Sequence, residues 1–150
     1  MQSMNPQYRD YVQLKVSRNR FMQQLGFELT EIAEGQVKGV LTISEKHEQQ
    51  NGFVHGGVIS ALCDMACGFA AYSLVAEGVQ VFTVELKVSY LRPGVGEKIL
   101  AKGWVLKPGK RFHFCESELY AIKNGREVLI AKASATMGVI EDKVNDKYGG

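Results

Sequence analysis

At 150 residues, 45% of them hydrophobic and 23% charged, the chain holds enough apolar material for the core of one compact domain. Eighteen basic against sixteen acidic residues leave a formal net charge of +2, without the extended basic field that holds a nucleic acid. Cys63, Cys67 and Cys115 form neither an even disulfide framework nor a Cys-x-x-Cys pair, and Met1 to Arg20 lacks the apolar stretch and cleavage site of a secretory signal, so a soluble, cytoplasmic protein is expected.

Asn5-Pro6 opens a predicted first helix, in which Tyr8, Tyr11, Val12, Leu14, Val16, Phe21 and Leu25 recur at roughly helical spacing before Gly26 ends it. Residues 5–25 should lie on the surface as a cap. From Phe27 to Ile43 the pattern alternates around Glu34-Gly35, which predicts a β-hairpin or two short strands. Ser44 to Gly52 is polar. Val58 to Val75 is then apolar on nearly every side, closing near Glu77-Gly78; Asp64 in its middle and the absence of a basic flank argue against a membrane span and for a helix buried within the protein.

Four strands follow, Val81 to Leu91, Glu97 to Leu106, Phe112 to Lys123 and Glu127 to Val139, separated by the turns Pro93-Gly94, Pro108-Gly109 and Asn124-Gly125. About six antiparallel strands around one buried helix give an α+β fold, and a strongly curved sheet is the compact way to cover such a helix. One domain over residues 1–150 is expected, with its core over about 27–139 and a mobile polar tail over 141–150.

The chemistry-bearing segment runs from Gln49 and Asn51 through His55-Gly56-Gly57 to Asp64. Paired glycines at a helix N-terminus bring unsatisfied N–H groups and the positive end of the helix dipole close to a ligand, which suits a developing oxyanion. They also suit a tight loop-to-helix turn, and His55 alone reads equally as a structural hydrogen-bonding residue. A carboxylate in the middle of a buried helix must be paired, hydrogen-bonded or functional. Asp64 could therefore partner a buried donor, or serve as a general base towards water or as a nucleophile. With no His at ligand spacing and no second acid on that helix until Glu77, no metal site is expected.

The run from Gln49 through His55-Gly56-Gly57 to Asp64 and Gly68, with the strand Phe82-Thr83-Val84-Glu85-Leu86-Lys87-Val88-Ser89-Tyr90-Leu91-Arg92-Pro93, resembles the hotdog-fold acyl-CoA thioesterases, in particular the phenylacetate-pathway (PaaI-like) type. The resemblance covers roughly Phe27 to Val139. It implies a hotdog fold, with Asp64 as catalytic base or nucleophile on the thioester carbonyl and the Gly56 N–H polarising that carbonyl. It further implies Gln49 near the thioester and the attacking water, His55 orienting the loop, and Thr83 positioning the water, since Gly68 stands where some members carry a Thr.

Asn51, Gly57, Arg92, Lys110 and Arg111 are candidate substrate-binding residues. Arg92, Lys107, Lys110 and Arg111 beside turns could meet the coenzyme A phosphates or be ordinary solvated turn charges. Phe53, Phe69 and Phe82 are candidates for the acyl pocket. No cofactor is implied, coenzyme A being part of the substrate. A non-catalytic acyl-CoA-binding module and a hotdog hydratase or dehydratase are the competing readings.

At about 1.5 Å rise per residue, Gly56 and Asp64 on one helix stand roughly 12 Å apart, too far to serve one carbonyl. Two copies of the helix packed antiparallel about a two-fold axis would bring Gly56 of one to Asp64 of the other, so a homodimer is the smallest active unit expected. Family members commonly pair such dimers into tetramers.

Overall fold

The computed structural model describes residues 1–141. Helices α1 (Tyr8–Arg18) and α2 (Arg20–Leu25) precede strands β1 (Phe27–Ala33) and β2 (Gln36–Thr42), a 3-10 turn (Glu45–His47), the long helix α3 (Gly56–Tyr72), and strands β3 (Val79–Tyr90), β4 (Lys98–Lys107), β5 (Phe112–Lys123) and β6 (Arg126–Glu141). The strands make one antiparallel sheet in the order β1-β2-β4-β5-β6-β3. This is the expected α+β architecture of a six-stranded sheet on a central helix with a helical N-terminal addition. Among the described residues no helix is long and apolar enough to cross a membrane.

The N-terminal helix is two helices rather than one. Asn19 leaves the helical region at φ −85°, ψ 90°, and its side chain accepts a hydrogen bond from the Met22 N–H at 3.0 Å. A short polar side chain thus offers the backbone a cap in place of one more helical bond, which divides the run. The unit does act as a cap, but it is not merely superficial, since Tyr11, Val12 and Met22 are buried. The Tyr11 hydroxyl donates to the Val79 carbonyl at 2.9 Å, and its ring meets Tyr72 edge-on at 6.1 Å.

Helix α3 starts at Gly56 and ends at Tyr72, shorter at its C-terminal end than its apolar run. Ser73 closes it: its hydroxyl donates to the Ala70 carbonyl and accepts from the Gly35 N–H, both at 2.7 Å, tying the helix end to the β1–β2 turn. The inner face of the sheet presses directly on the helix. A Cβ at Gly103 would lie 2.3 Å from the Ala66 carbonyl oxygen, so only glycine admits this approach of β4 to the helix backbone. Leu62, Ile99, Leu119 and Ile130 are fully buried between the layers, each such side chain contributing about 1.5–3 kcal/mol.

The sheet covers one side of α3, not its whole circumference. Gly57 is exposed, and Ser60, Ala61, Asp64 and Gly68 are half-buried along one stripe. Asp64 is thus half-buried within its own chain: the helix is apolar nearly all round, yet a single curved sheet leaves this stripe open. Strand β3, twelve residues long, pairs with β6 on one side and forms an edge of the sheet. Of the tail expected to be mobile, Glu141 ends β6, and residues 142–150 lie outside the described residues.

Candidate active site

The loop before α3 is built by its own backbone. Gln49 N–H donates to the Phe53 carbonyl at 2.8 Å, Gly52 N–H to Gln49 at 3.0 Å and His55 N–H to His47 at 2.8 Å, while Val54 N–H reaches Gly94 at 3.0 Å. The Gln49 side-chain oxygen accepts from the Asn51 N–H, which folds both residues onto the loop.

His55 is the N-cap of α3. Its Nδ1 accepts from the Gly57 N–H at 2.7 Å, and its carbonyl accepts from Val58 and Ile59 at 3.0 and 3.2 Å. A Cβ at position 57 would meet that Nδ1 at 3.0 Å, so glycine here serves the cap. These bonds leave the Gly56 N–H as the first-turn amide with no acceptor among the described residues. The Tyr90 hydroxyl donates to the Gly56 carbonyl at 3.1 Å, fixing the orientation of the helix start. Gln49, Phe53, Gly56, Tyr90 and Arg92 line one open crevice of about 350 Å3.

Two turns along α3, Asp64 faces β3. The Thr83 hydroxyl donates to its Oδ1 at 2.6 Å and lies 3.6 Å from the Met137 sulfur. A bond donated to Oδ1 turns one carboxylate oxygen to the protein and leaves Oδ2 for another donor. Asp64, Gly68, Phe69, Tyr72, Thr83 and Met137 line a second crevice of about 150 Å3. A Cβ at Gly68 would meet nothing within 4 Å, so this turn of the helix is open.

The neighbouring thiols are poor nucleophiles. Burial pushes Cys63 up to about 11 and Cys115 up to about 12, and Cys67 higher still, with the negative charge of Asp64 adding to the rise at Cys63 and Cys67. All three stay protonated near neutral pH. Among the described residues no three His, Cys, Asp or Glu side chains converge to hold a metal.

The candidate residues thus fall into two groups within one chain. Gln49, Asn51, His55, Gly56, Gly57 and Arg92 gather at the start of α3, and Asp64 and Thr83 lie further along it. The Arg92 guanidinium donates to the Leu129 carbonyl at 2.9 Å, a bond that anchors the chain after β3. Lys110 and Arg111 join neither group; they line a third cavity with Val75, Val79 and His113, at the other end of α3. Phe53 and Phe69 line the first and second crevices, but Phe82 does not face an acyl pocket. Strand alternation turns Val81 and Thr83 inward, which sends Phe82 to the outer face, where it is 55% exposed. Tyr90, Asn19 and Tyr72 were not singled out from the sequence, where they look like ordinary members of an alternating strand and of amphipathic helices.

Comparison with known proteins bears on the family and the fold. Residues 51–128 match the thioesterase superfamily. The chain is 28% identical over 138 residues to acyl-coenzyme A thioesterase 13 of Homo sapiens, covering 91% of this chain and 96% of that protein. It is 31% identical over 96 residues to the medium/long-chain acyl-CoA thioesterase YigI of Escherichia coli, covering 55% and 60%. Among solved structures, a thioesterase family protein from Silicibacter pomeroyi superposes with a TM-score of 0.88 at 34% identity, over 89% of this chain and 98% of the other. The PaaI protein of Escherichia coli shares the fold, with a TM-score of 0.80 at 19% identity over 92% and 96%.

Proposed function

The chain belongs to the thioesterase superfamily, and from that premise we propose that it is a hotdog-fold acyl-CoA thioesterase whose active sites are composite, each drawing Gly56 from one copy and Asp64 from another. It is a thioester hydrolase, releasing a free acid and coenzyme A.

The observation that carries the mechanism is a division of labour along α3: an N–H at Gly56 with no acceptor among the described residues and a carboxylate braced by Thr83 at 2.6 Å. A thioester carbonyl oxygen accepts from the Gly56 N–H, at the positive end of the helix, where the negative charge of the tetrahedral intermediate develops. Asp64 takes a proton from water as the water oxygen bonds to the carbonyl carbon. Collapse breaks the C–S bond, and the proton passes to the departing sulfur. Thr83 keeps the carboxylate turned, His55 holds the loop through its cap on Gly57, and Gln49 and Asn51 border the thioester.

Gly56 and Asp64 are eight positions apart, roughly 12 Å of helix rise, so one carbonyl cannot meet both within one chain. The free edge of β3 supports a two-fold partner there. An edge of twelve residues with Phe82 and Val84 exposed at 55% and 61% is a template for pairing with a second β3. Pairing of that kind would extend the sheet and cover the open stripe of α3 with its two-fold mate. The outer face of the sheet, where Phe82, Val84, Leu106, Phe112 and Phe114 are 45–61% exposed, supports pairing of such dimers into a homotetramer. Three buried, unpaired cysteines accord with a cytoplasmic setting.

Free-thiol release from a panel of short, long and aromatic acyl-CoA substrates tests the activity. Multiple turnovers on any member are expected; tight coenzyme A binding with no turnover would instead make the protein a binding module.

A further inference from the structure

Two hydroxyls on β3 reach the two parts of α3 that the catalytic reading uses. Thr83 donates to Asp64 Oδ1 at 2.6 Å, and further along the same strand Tyr90 donates to the Gly56 carbonyl at 3.1 Å. Side chains an odd number of residues apart on a regular strand point to opposite faces. Here both turn to the helix, because the ladder with β6 slips between them. Thr83 pairs with Met137 and Glu85 with Thr136, which leaves Val84 as the extra residue of a β-bulge. Val81 and Thr83 turn to the core side before the bulge, and Leu86, Val88 and Tyr90 do so after it.

The Gly56 carbonyl and the Gly57 N–H belong to one peptide unit. Its oxygen accepts from Tyr90 at 3.1 Å and its N–H donates to His55 Nδ1 at 2.7 Å, so the plane is held at both ends. Flanked by two glycines, this peptide has no side chain of its own to restrain it. The preceding peptide carries the Gly56 N–H and is held through the His55 carbonyl by Val58 and Ile59. The direction of the Gly56 N–H is thus set by two planes that meet at the Gly56 Cα, and one of them depends on Tyr90. A Cβ at Gly56 would meet the Tyr90 ring at 3.4 Å, which places that ring directly against the glycine.

We propose that Tyr90 is a positioning residue for thioester hydrolysis: its hydroxyl pins the Gly56–Gly57 peptide so that the Gly56 N–H points at the developing oxyanion. It acts through Gly56 rather than on the substrate, as Thr83 acts through Asp64. The inference rests on the reading of Gly56 as the group that polarises the thioester carbonyl. An oxyanion donor works within about 2.7–3.1 Å of the place where the charge develops, so a loosened plane costs turnover rather than ground-state binding. The bulge at Val84 is part of the same device, since a regular strand would turn Tyr90 away from α3.

Tyr90→Phe tests the proposal, because Tyr90 is 55% exposed and loss of its hydroxyl leaves the ring in place. With an acyl-CoA that the wild type turns over, kcat should fall about threefold to tenfold while KM stays near wild type. Tyr90 and His55 hold one peptide, so the factor by which Tyr90→Phe changes kcat should differ at least about twofold between the wild-type and His55→Ala backgrounds. In heteronuclear NMR of the full-length protein, the Gly57 amide nitrogen should move upfield in Tyr90→Phe, because the carbonyl of its own peptide has lost a hydrogen bond. Any of four results overturns the proposal: an unchanged kcat; a rise in KM alone, which would make the hydroxyl a substrate contact; equal factors in the two backgrounds, which would make the two residues independent; or a Gly57 resonance that stays in place. A wild-type protein that hydrolyses no acyl-CoA would instead end the hydrolase reading and the catalytic role with it, while the Gly57 resonance would still decide whether Tyr90 pins the peptide.

Discussion

Thr83 on β3 donates its hydroxyl proton to Asp64 on α3 at 2.6 Å, joining the edge strand to the one acidic side chain of the central helix. The bond spends one carboxylate oxygen on the protein and leaves the other for water, so the two residues should act as a unit.

Asp64→Asn keeps the shape and removes the proton acceptor. Its kcat should fall by at least about 100-fold with little change in thermal stability, as for loss of a general base. Thr83→Val removes only the brace. A hydrogen bond to a charged group is worth about 1.5–3 kcal/mol, so kcat should fall by about tenfold or more while KM stays near wild type. Steady-state kinetics on both variants and on the double variant checks the coupling: the double variant should be no worse than Asp64→Asn.

His55→Ala deletes the side-chain cap on the Gly57 N–H. Loss of an N-cap costs about 1 kcal/mol, which for a domain of this size lowers Tm by about 2–4 °C in calorimetry. Activity should fall as well, because the same residue sets the loop that carries Gln49.

Gly103→Ala puts a methyl group 2.3 Å from the Ala66 carbonyl oxygen, a contact with backbone that cannot rotate away. The expected loss is about 2 kcal/mol or more in denaturant unfolding, as for an overpacked core.

Cys63 and Cys115, pushed by burial up to about 11 and about 12 from an ordinary value of 9.0, should resist iodoacetamide in the native protein at pH 8 and react fully once it is unfolded. The folded values are raised, so the stability these thiols contribute is complete below pH 9 and is lost as pH rises from there through about 11. Thermal melts across that interval should show a declining Tm, less steep in Cys63→Ala.

The hairpins were legible in the sequence because their turns are local chemistry. Asn124 and Gly125 both take positive φ, at 51° and 75°, and the strand Phe112–Lys123 ends where the pattern predicts. The division of the first helix at Asn19 was not legible, because one side chain's local hydrogen bond outweighed a continuous apolar spacing. The misplacement of Phe82 came from treating aromatics as core material, although its own strand alternation turns it outward. Asp64 is the most instructive residue: an all-apolar helix pattern says that a surface will be covered, but not that its own sheet will cover it. Lys110 and Arg111 were found as charges beside a turn, and nothing in the linear sequence could have set them beside His113 rather than Gly56.

The central claim, that each active site is shared between copies, is most directly tested by complementation. Gly56→Pro deletes the free N–H at the first position of α3, where proline is tolerated, and His55 already has the extended conformation, φ −61° and ψ 137°, that a following proline requires. Asp64→Asn and Gly56→Pro should each be nearly inactive alone. When the two are co-expressed, half of the dimers combine them, and each such dimer holds one site with neither defect, so activity should recover to about one quarter of wild type. Folded, mixed dimers that recover nothing would contradict a site shared between Gly56 and Asp64 of different copies.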